Sequence, residues 1–341
     1  MKKNKILDYV TQHYPDADIH FVCRMMITSA LPHSKIDANS YKRTSGNYTL
    51  AITNGYADII PYGSYPRVIL SWLVTEAIRT RSREIYLGDS LSNFMKQLDI
   101  SVTGGKTGSF NRFKQQFLGL MTSNITYTFK DSRSKKTIIV NFHVANALKF
   151  LSDNQGDFFK VKIILDENFF NEIIKYPVPV DKKAVNALMF SSLALDIYFW
   201  LTYKMSYIKE KTQISFDDLK TQFGFGYNDT KYGKYEFRRK FIIQLRSVLA
   251  LYNLAKVSIQ KDGLFLYPSP SHIKKKNDPL GSLEDPIRRN NFDGESAPGN
   301  RNIIPHQDCD LNNRQKSFGF GGPMESISAV TQRILSNAKN K

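Results

Sequence analysis

An order of predicted elements that occurs twice along the chain is the feature that most narrows the folds open to it. In the first copy, apolar residues at helical spacing follow Pro66, and a short β-like piece comes at 84–87. Two more helices are predicted after it, separated by a Gly-rich turn. The β-rich runs 125–129 and 136–142 then form a predicted hairpin around a polar turn.

The second copy repeats this order, with Leu91 and Leu219 in equivalent places 128 residues apart. A helix is predicted at 184–203, and a β-like piece follows at 213–216. A hairpin closes the copy around Asp262 and Gly263, a pair typical of tight hairpin turns. Between the β-like piece at 213–216 and this hairpin, two helices are predicted. One lies at 217–223 and is capped by Asp217, and the other lies at 234–252.

Helix, short strand, helix, turn, helix and hairpin is the order of a winged helix, whose third helix usually reads the major groove of DNA. Any α+β domain could show this order once, whereas two occurrences in one chain favour a tandem. We therefore predict an α+β fold of tandem winged-helix domains with a flexible C-terminal tail. The predicted parts are an irregular N-terminal arm at 1–58 with a strand at 48–53, winged-helix domains at 59–178 and 179–270, and a disordered tail at 271–341.

The charge of the chain indicates a polyanionic partner. Lys and Arg number 48 against 31 Asp and Glu, a formal net charge of +17. The tail from 271 holds 11 basic and 8 acidic residues, so residues 1–270 carry +14. Such an excess on the folded part favours nucleic acid or an anionic membrane surface. A merely basic soluble protein is the alternative.

The sequence disfavours a membrane protein and a fold held by disulfide bonds. The most apolar stretch, 184–201, contains Asp196 and Asn186, which a spanning helix would have to bury in lipid. No apolar leader follows the basic N-terminus, and no basic amphipathic helix shows a wide apolar face. The two cysteines, Cys23 and Cys309, lie far apart and exclude a disulfide framework. We expect a cytoplasmic protein without a cofactor.

The third helix of the second copy has the best signal for DNA binding. Phe237, Phe241, Leu245, Val248 and Tyr252 form one apolar stripe at helical spacing, and basic residues occupy the opposite face. Arg can fork onto guanine, Lys can meet phosphates and Gln can pair with adenine. A solvated charged face is the alternative. The candidate DNA-binding residues are Lys231, Lys234, Arg238, Arg239, Lys240, Gln244 and Arg246.

The first copy has a smaller set of candidates. Its third helix is predicted at 109–122, with an apolar stripe of phenylalanines and a few polar residues facing outward. The tip of the hairpin that follows could lie along a phosphate backbone. The set is equally compatible with backbone contact and with dimerisation. Its members are Lys106, Asn111, Arg112 and Gln115, with Arg133, Lys135 and Lys136 at the hairpin tip.

Nucleotide and catalytic sites are not predicted. The run TGGKTGS at 103–109 lacks the earlier glycine of a phosphate-binding P-loop, since residue 100 is Ile, and it follows a helix rather than a strand. No two of the six histidines have the spacing of metal ligands, which a DNA-nicking replication enzyme would need. We therefore expect no catalytic residue, no metal and no enzymatic activity.

Several spaced motifs occur in order between residues 60 and 125. They are PYG-x-x-PR at 61–67, TEA-x-RT-x-SREI-x-LG at 75–88, SL-x-x-FM-x-x-L at 90–98 and TGG-x-x-G at 103–108. Together they closely resemble the plasmid-encoded RepA-type replication initiators. Asp99 departs from the pattern, because a small residue, often glycine, is expected there.

The resemblance implies a protein that starts replication of its own plasmid. Such initiators bind directly repeated origin DNA, help open an adjacent A+T-rich segment, recruit the host initiator and the replicative helicase, and often repress their own gene. In similar initiators the second winged helix reads the major groove, and the first handles dimerisation and backbone contacts, which implies a homodimer here. A transcriptional repressor without a replication role and, more remotely, a DNA-nicking enzyme stay as alternatives.

Overall fold

A computed structural model of the chain describes residues 18–130, 137–152 and 157–273, and these residues form a mixed α+β structure. The predicted tail lies outside the described residues from 274 onwards. The helices are α1 Arg24–Thr28, α2 Ser64–Thr80, α3 Leu91–Gln97, α4 Ser109–Thr122, α5 Glu167–Lys175, α6 Lys182–Leu188, α7 Ser192–Met205, α8 Phe216–Phe223 and α9 Lys231–Leu251. The strands are β1 Ile19–Cys23, β2 Ser40–Ser45, β3 Tyr48–Thr53, β4 Glu84–Tyr86, β5 Asn124–Lys130, β6 Thr137–Phe142, β7 Ala145–Ser152, β8 Phe158–Leu165, β9 Pro177–Asp181, β10 Thr212–Ser215, β11 Val257–Ile259 and β12 Gly263–Leu266.

Two three-stranded antiparallel sheets have the same strand order. One is β4-β8-β7 and the other is β10-β12-β11. In each sheet, the middle strand, β8 or β12, is the last along the chain. It pairs with a short strand, β4 or β10, that follows a long helix. The two halves of the chain therefore share a sheet topology as well as an order of elements.

The hairpin that corresponds to β11–β12 is β7–β8, and this corrects the sequence analysis. The predicted hairpin at 125–129 and 136–142 does form, with Ile125 opposite Phe142. It extends a different sheet, β2-β3-β5-β6, because β5 pairs along its length with β3. The sequence pattern shows where a strand lies but not which distant strand completes its hydrogen bonds.

Residues 18–58 are part of the core and differ from the predicted irregular arm. Strand β1 is buried at all five positions and pairs with β9, and the strand predicted at 48–53 is β3. The Phe21 amide donates to the Thr75 hydroxyl over 2.8 Å. Arg43 on β2 donates to the Thr221 carbonyl at 2.9 Å, which ties this segment to α8.

Local capping explains where the helices of the second half begin. The single helix predicted at 184–203 is two helices, because the Ser191 hydroxyl accepts from the Ala194 amide and starts α7 anew. Ser215, not Asp217, caps α8. Thr230 caps α9, which begins three residues before the predicted start. Serine and threonine hydroxyls are good acceptors for the free amides of a first helical turn.

The turn at Asp99 keeps the conformation that glycine favours. The φ of Asp99 is 57°, in the left-handed region that a side chain seldom adopts. Aspartate is one of the residues that tolerate this region. Its carboxylate also accepts a hydrogen bond of 2.5 Å from the Asn186 amide nitrogen. The departure from the motif therefore leaves the chain direction after α3 intact.

A buried ion pair joins the first half of the described chain, up to residue 178, to the second half, from residue 179 onwards. Arg67 on α2 is 1% exposed and Asp196 on α7 is 3% exposed. The guanidinium donates from Nε to Oδ1 at 2.6 Å and from Nη2 to Oδ2 at 2.7 Å. Further donations from it to the Leu31 carbonyl, at 2.7 Å, and the Gly63 carbonyl, at 2.6 Å, satisfy the buried donors. The final arginine of the 61–67 motif is thus a structural residue.

His33 completes this network. Its Nε2 lies 2.7 Å from Oδ2 of Asp196. Burial opposes ionisation of Asp196, but the charge of Arg67 and the hydrogen bonds from Arg67 and His33 outweigh it and lower the pKa of the carboxyl group. Burial in turn lowers the pKa of His33, which favours its neutral form. Asp196 therefore accepts hydrogen bonds from three nitrogen atoms as a carboxylate.

We expect Asp196→Ala to lower the free energy of unfolding by about 3–5 kcal/mol, because it leaves the guanidinium of Arg67 buried without its counter-ion. Urea unfolding followed by circular dichroism measures the change. The control is Glu76→Gln, which removes only the partner of the exposed Arg79 on the same helix α2 and should change stability by less than about 1 kcal/mol. Equal losses for the two variants would contradict the structural role of the buried pair.

Acidification should destabilise the fold through buried histidines. Burial, then the charges of Lys182 and Arg79, lower the pKa of His20 to about 4. In the unfolded chain a histidine keeps a pKa of about 6.5, so between these values the unfolded state binds a proton that the folded state does not. The free energy of unfolding should therefore fall by about 3 kcal/mol from pH 7 to pH 4 on account of this residue. Urea titrations across this range should give a shallower slope for His20→Gln, and an unchanged slope would refute the assignment.

Candidate nucleic-acid interface

Helix α9 is held by one apolar face. Phe237, Phe241, Leu245 and Val248 are buried, as is Tyr252 directly after the helix. The ring of Phe241 lies 5.6 Å from that of Phe223 on α8. The predicted core stripe is therefore confirmed, and the opposite face of α9 points away from the protein core.

Close backbone packing fixes the turn between α8 and α9. Thr230 accepts a hydrogen bond of 3.1 Å from the Gly233 amide. A Cβ atom on Gly233 would lie 2.2 Å from the Asn228 carbonyl oxygen, too close for any side chain. The first turn of α9 therefore rests directly on the loop, which fixes the direction in which the helix leaves α8.

The structure divides the predicted α9 residues by exposure. Gln244 does not face outward, since its Oε1 is buried and finds no hydrogen-bond partner among the residues described. Ser247, three residues further along the helix, is buried too. The exposed members are Lys231, Lys234, Arg239 and Lys240, and the half-buried ones are Arg238, Gln244 and Arg246.

Two of these cations are paired within the protein. Arg239 donates to both carboxylate oxygens of Glu236, one turn earlier, at 3.1 and 2.8 Å. Lys234 lies 2.8 Å from a carboxylate oxygen of Asp217 on α8. Both pairs are solvent-exposed, so another anion can compete with the carboxylate for the cation.

Arg238 links three elements of the second unit. Its guanidinium lies over the Phe216 ring, 4.4 Å from the ring centroid, and donates to the Gln260 carbonyl at 3.3 Å. The side chain thus connects the start of α8 and helix α9 to the turn of the β11–β12 hairpin. Stacking on a ring leaves the edge of the guanidinium available to an anion.

A concave pocket of about 460 Å³ lies between these three elements. Four cations and two carboxylates line it, so its net charge is positive. Sequence analysis did not select Lys261, although it directly precedes the predicted Asp262-Gly263 turn. The charged residues of the pocket are Lys220, Lys234, Arg238, Lys261, Asp217 and Asp262.

The outward face of α9 also carries large apolar side chains that the sequence analysis did not select as candidates. Tyr232 and Tyr235 are 73% and 61% exposed, and Ile243 is 41% exposed. Their positions on the helical wheel, on the face away from the core stripe, were the sequence signal that these side chains would be exposed.

In the first half, α4 repeats the arrangement of α9. Phe113, Phe117 and Leu120 are buried, while Arg112, Gln115 and Lys106 are exposed as predicted. Asn111 forms a hydrogen bond within the protein instead, because its side-chain amide donates to the Gly105 carbonyl at 2.8 Å.

The loop 103–109 is a turn between α3 and α4. Hydrogen bonds close it, with the Ser109 amide donating to the Thr103 hydroxyl and the Thr103 amide to the Ser109 hydroxyl, each at 2.9 Å.

The predicted hairpin-tip residues Arg133, Lys135 and Lys136 lie outside the described residues. The hairpin that contacts α4 is β7–β8, through Lys114, whose ammonium lies 4.4 Å from the centroid of the Phe158 ring. This hairpin exposes Lys149 and Lys160, which sequence analysis did not select. The signal was weak, since β7 carries one lysine and β8 carries two, each in a largely apolar run.

None of the helices in the described ranges combines the length and the apolar character needed to span a membrane.

One comparison with known protein families agrees with the motif analysis. Residues 60–218 match the family model described as plasmid encoded RepA protein, which confirms the resemblance. The match runs from the residues before α2 into α8, so helix α9 lies beyond it. A search of curated proteins finds no match. Among solved structures, the chain is similar to the crystal structure of selenomethionine derivatives of domains 2 and 3 of RctB, with 10% identity, a TM-score of 0.43, and coverage of 69% of this chain and 84% of that chain.

Proposed function

We propose that this chain, whose residues 60–218 carry the signature of the plasmid-encoded RepA family, is the replication initiator of a plasmid. In this proposal it binds directly repeated origin DNA by sequence, helps to open the adjacent A+T-rich segment, recruits the host initiator and replicative helicase, and represses its own gene. It acts in the cytoplasm, as a DNA-binding protein and not as an enzyme. The family match is the observation that carries the proposal.

The proposal includes two winged helices, at 59–178 and 179–270. The shared sheet order, β4-β8-β7 and β10-β12-β11, supports it. In each unit the first strand of the sheet follows a long helix, and two more helices come along the chain before the hairpin that completes the sheet. In this reading α4 and α9 are the third helices, and β7–β8 and β11–β12 are the wings. The second unit reads the major groove through α9, and the first contacts the backbone or a second copy of the chain.

Electrostatics supports the choice of DNA as partner. Residues 1–270 carry a charge of +14, and exposed cations of α9 face away from the core. Binding would exchange the internal partners of Arg239 and Lys234 for phosphates or base edges. Each phosphate that is neutralised releases counter-ions, so affinity should fall steeply with salt.

Opening of the A+T-rich segment needs no hydrolysis in this mechanism. Several copies bound side by side on direct repeats bend the duplex and place the strain on its most flexible steps.

A footprint on the DNA that flanks the gene of this protein, over a range of salt concentrations, tests the function. Regularly spaced protection over direct repeats is the expected result. Protection of one inverted repeat at a promoter would instead indicate a transcriptional repressor. Coating without a footprint would mean non-specific binding, and nicking of a supercoiled plasmid in Mg²⁺ would indicate an enzyme.

We expect Arg239→Ala to weaken binding to the cognate repeat by about tenfold or more, because one good bidentate contact to a base contributes roughly 1–3 kcal/mol. Fluorescence anisotropy on a labelled repeat measures the change. Arg79→Ala is a matched control, since Arg79 is also exposed and also pairs with a glutamate three residues earlier, but on α2. Unchanged affinity for Arg239→Ala would remove this residue from the interface.

A further inference from the structure

We propose that the outward face of α9 recognises thymine methyl groups, with Ile243 as the principal contact and Tyr232 and Tyr235 as further contacts. The inference rests on the proposed DNA binding by α9 and adds which bases the helix selects. It predicts that each repeat has thymines at fixed positions of the major groove.

The three apolar residues share one face of the helix. At 100° per residue, Tyr232 and Ile243 fall within about 20° of each other, directly opposite the buried stripe, and Tyr235 falls to one side. Ile243 lies eleven positions after Tyr232, which is about 16 Å along the helix axis. This length corresponds to the rise of about five base pairs.

The exposed apolar side chains are available to a ligand, whereas the charged pair between them is occupied. Arg239, on the same line of the helix, is held at both its Nε and Nη2 by Glu236. By contrast, 73% of the surface of Tyr232 and 41% of that of Ile243 is open to solvent in the described structure. Ile243 has no polar atom in its side chain, so it cannot hydrogen-bond to any base edge.

Thymine is the base whose major-groove edge carries a methyl group, which makes apolar contact the chemistry by which a protein selects it. The β-branched side chain of Ile243 is stiff and presents its methyl groups without losing much conformational freedom. The neighbouring cations Arg239, Lys240 and Arg246 match the charge of a DNA groove. They disfavour a second copy of the same face as the occupant, because like charges would then meet.

The experiment replaces each thymine of a footprinted repeat, one at a time, by deoxyuridine, which removes only the 5-methyl group. For the unmodified protein, fluorescence anisotropy should show a loss of about fourfold in affinity at one or more positions, the effect of leaving one methyl group unburied. Ile243→Ala should bind the thymine repeat about fourfold more weakly or worse and should lose its sensitivity to deoxyuridine at one of these positions.

Leu254→Ala is the matched control, because Leu254 is also 41% exposed but lies beyond the end of α9. It should keep both the affinity and the deoxyuridine profile of the unmodified protein. Circular dichroism confirms that both variants fold.

Three results would overturn the inference. Specific binding without any sensitive thymine refutes methyl recognition and leaves the proposed function standing. An Ile243→Ala profile identical to that of the unmodified protein removes Ile243 from the contact. A change in sedimentation of Ile243→Ala with unaltered DNA binding assigns the face to a second copy of the chain. If the protein binds no repeat specifically, the proposed function itself fails, and the inference fails with it.

Discussion

The fork of hydrogen bonds between Arg67 and Asp196 is the interaction on which the arrangement of the two halves depends. It joins α2 to α7, the helices that precede β4 and β10, and it also holds the chain at Leu31 and His33. Neither ion could be buried alone, since an unpaired charge inside a protein is far more costly than a satisfied pair. The last arginine of the RepA-like opening motif therefore acts on the packing of the core and not on a ligand.

On the outward face of α9, two of the cations already have carboxylate partners within the protein. Arg239 with Glu236 and Lys234 with Asp217 are surface pairs, which contribute little to stability. Arg238 differs from them, because it stacks on a ring and contacts the hairpin turn through a backbone carbonyl. The pocket beside it is concave and has a net positive charge.

Local patterns predicted much of this structure. The bounds of α4 and of β3 agree with the expectation, and the hairpin predicted around Asp262 and Gly263 does join β11 to β12, with Gly263 as the first residue of β12. The errors are of two kinds. Serine and threonine caps divided one predicted helix into α6 and α7 and moved the starts of others, since capping depends on single hydroxyl groups. The β5–β6 hairpin forms as predicted, but it does not close the first copy, since β7–β8 holds that place. The role of residues 18–58 in the core was missed as well, because both points depend on contacts with distant segments.

The sequence by itself determined the amphipathic stripes of α4 and α9, the basic excess and the family motifs, because periodicity, charge and motif spacing are properties of neighbouring residues. It also placed Arg239 and Lys240 on the outward face of α9. Only the tertiary structure decided that β8 pairs with β4, that Arg67 meets an aspartate 129 residues away, and that Gln244 turns inward. Sheet pairing and the burial of charge are chosen by the whole chain, since a strand edge or an ion accepts whichever partner the packing of the other elements brings within reach.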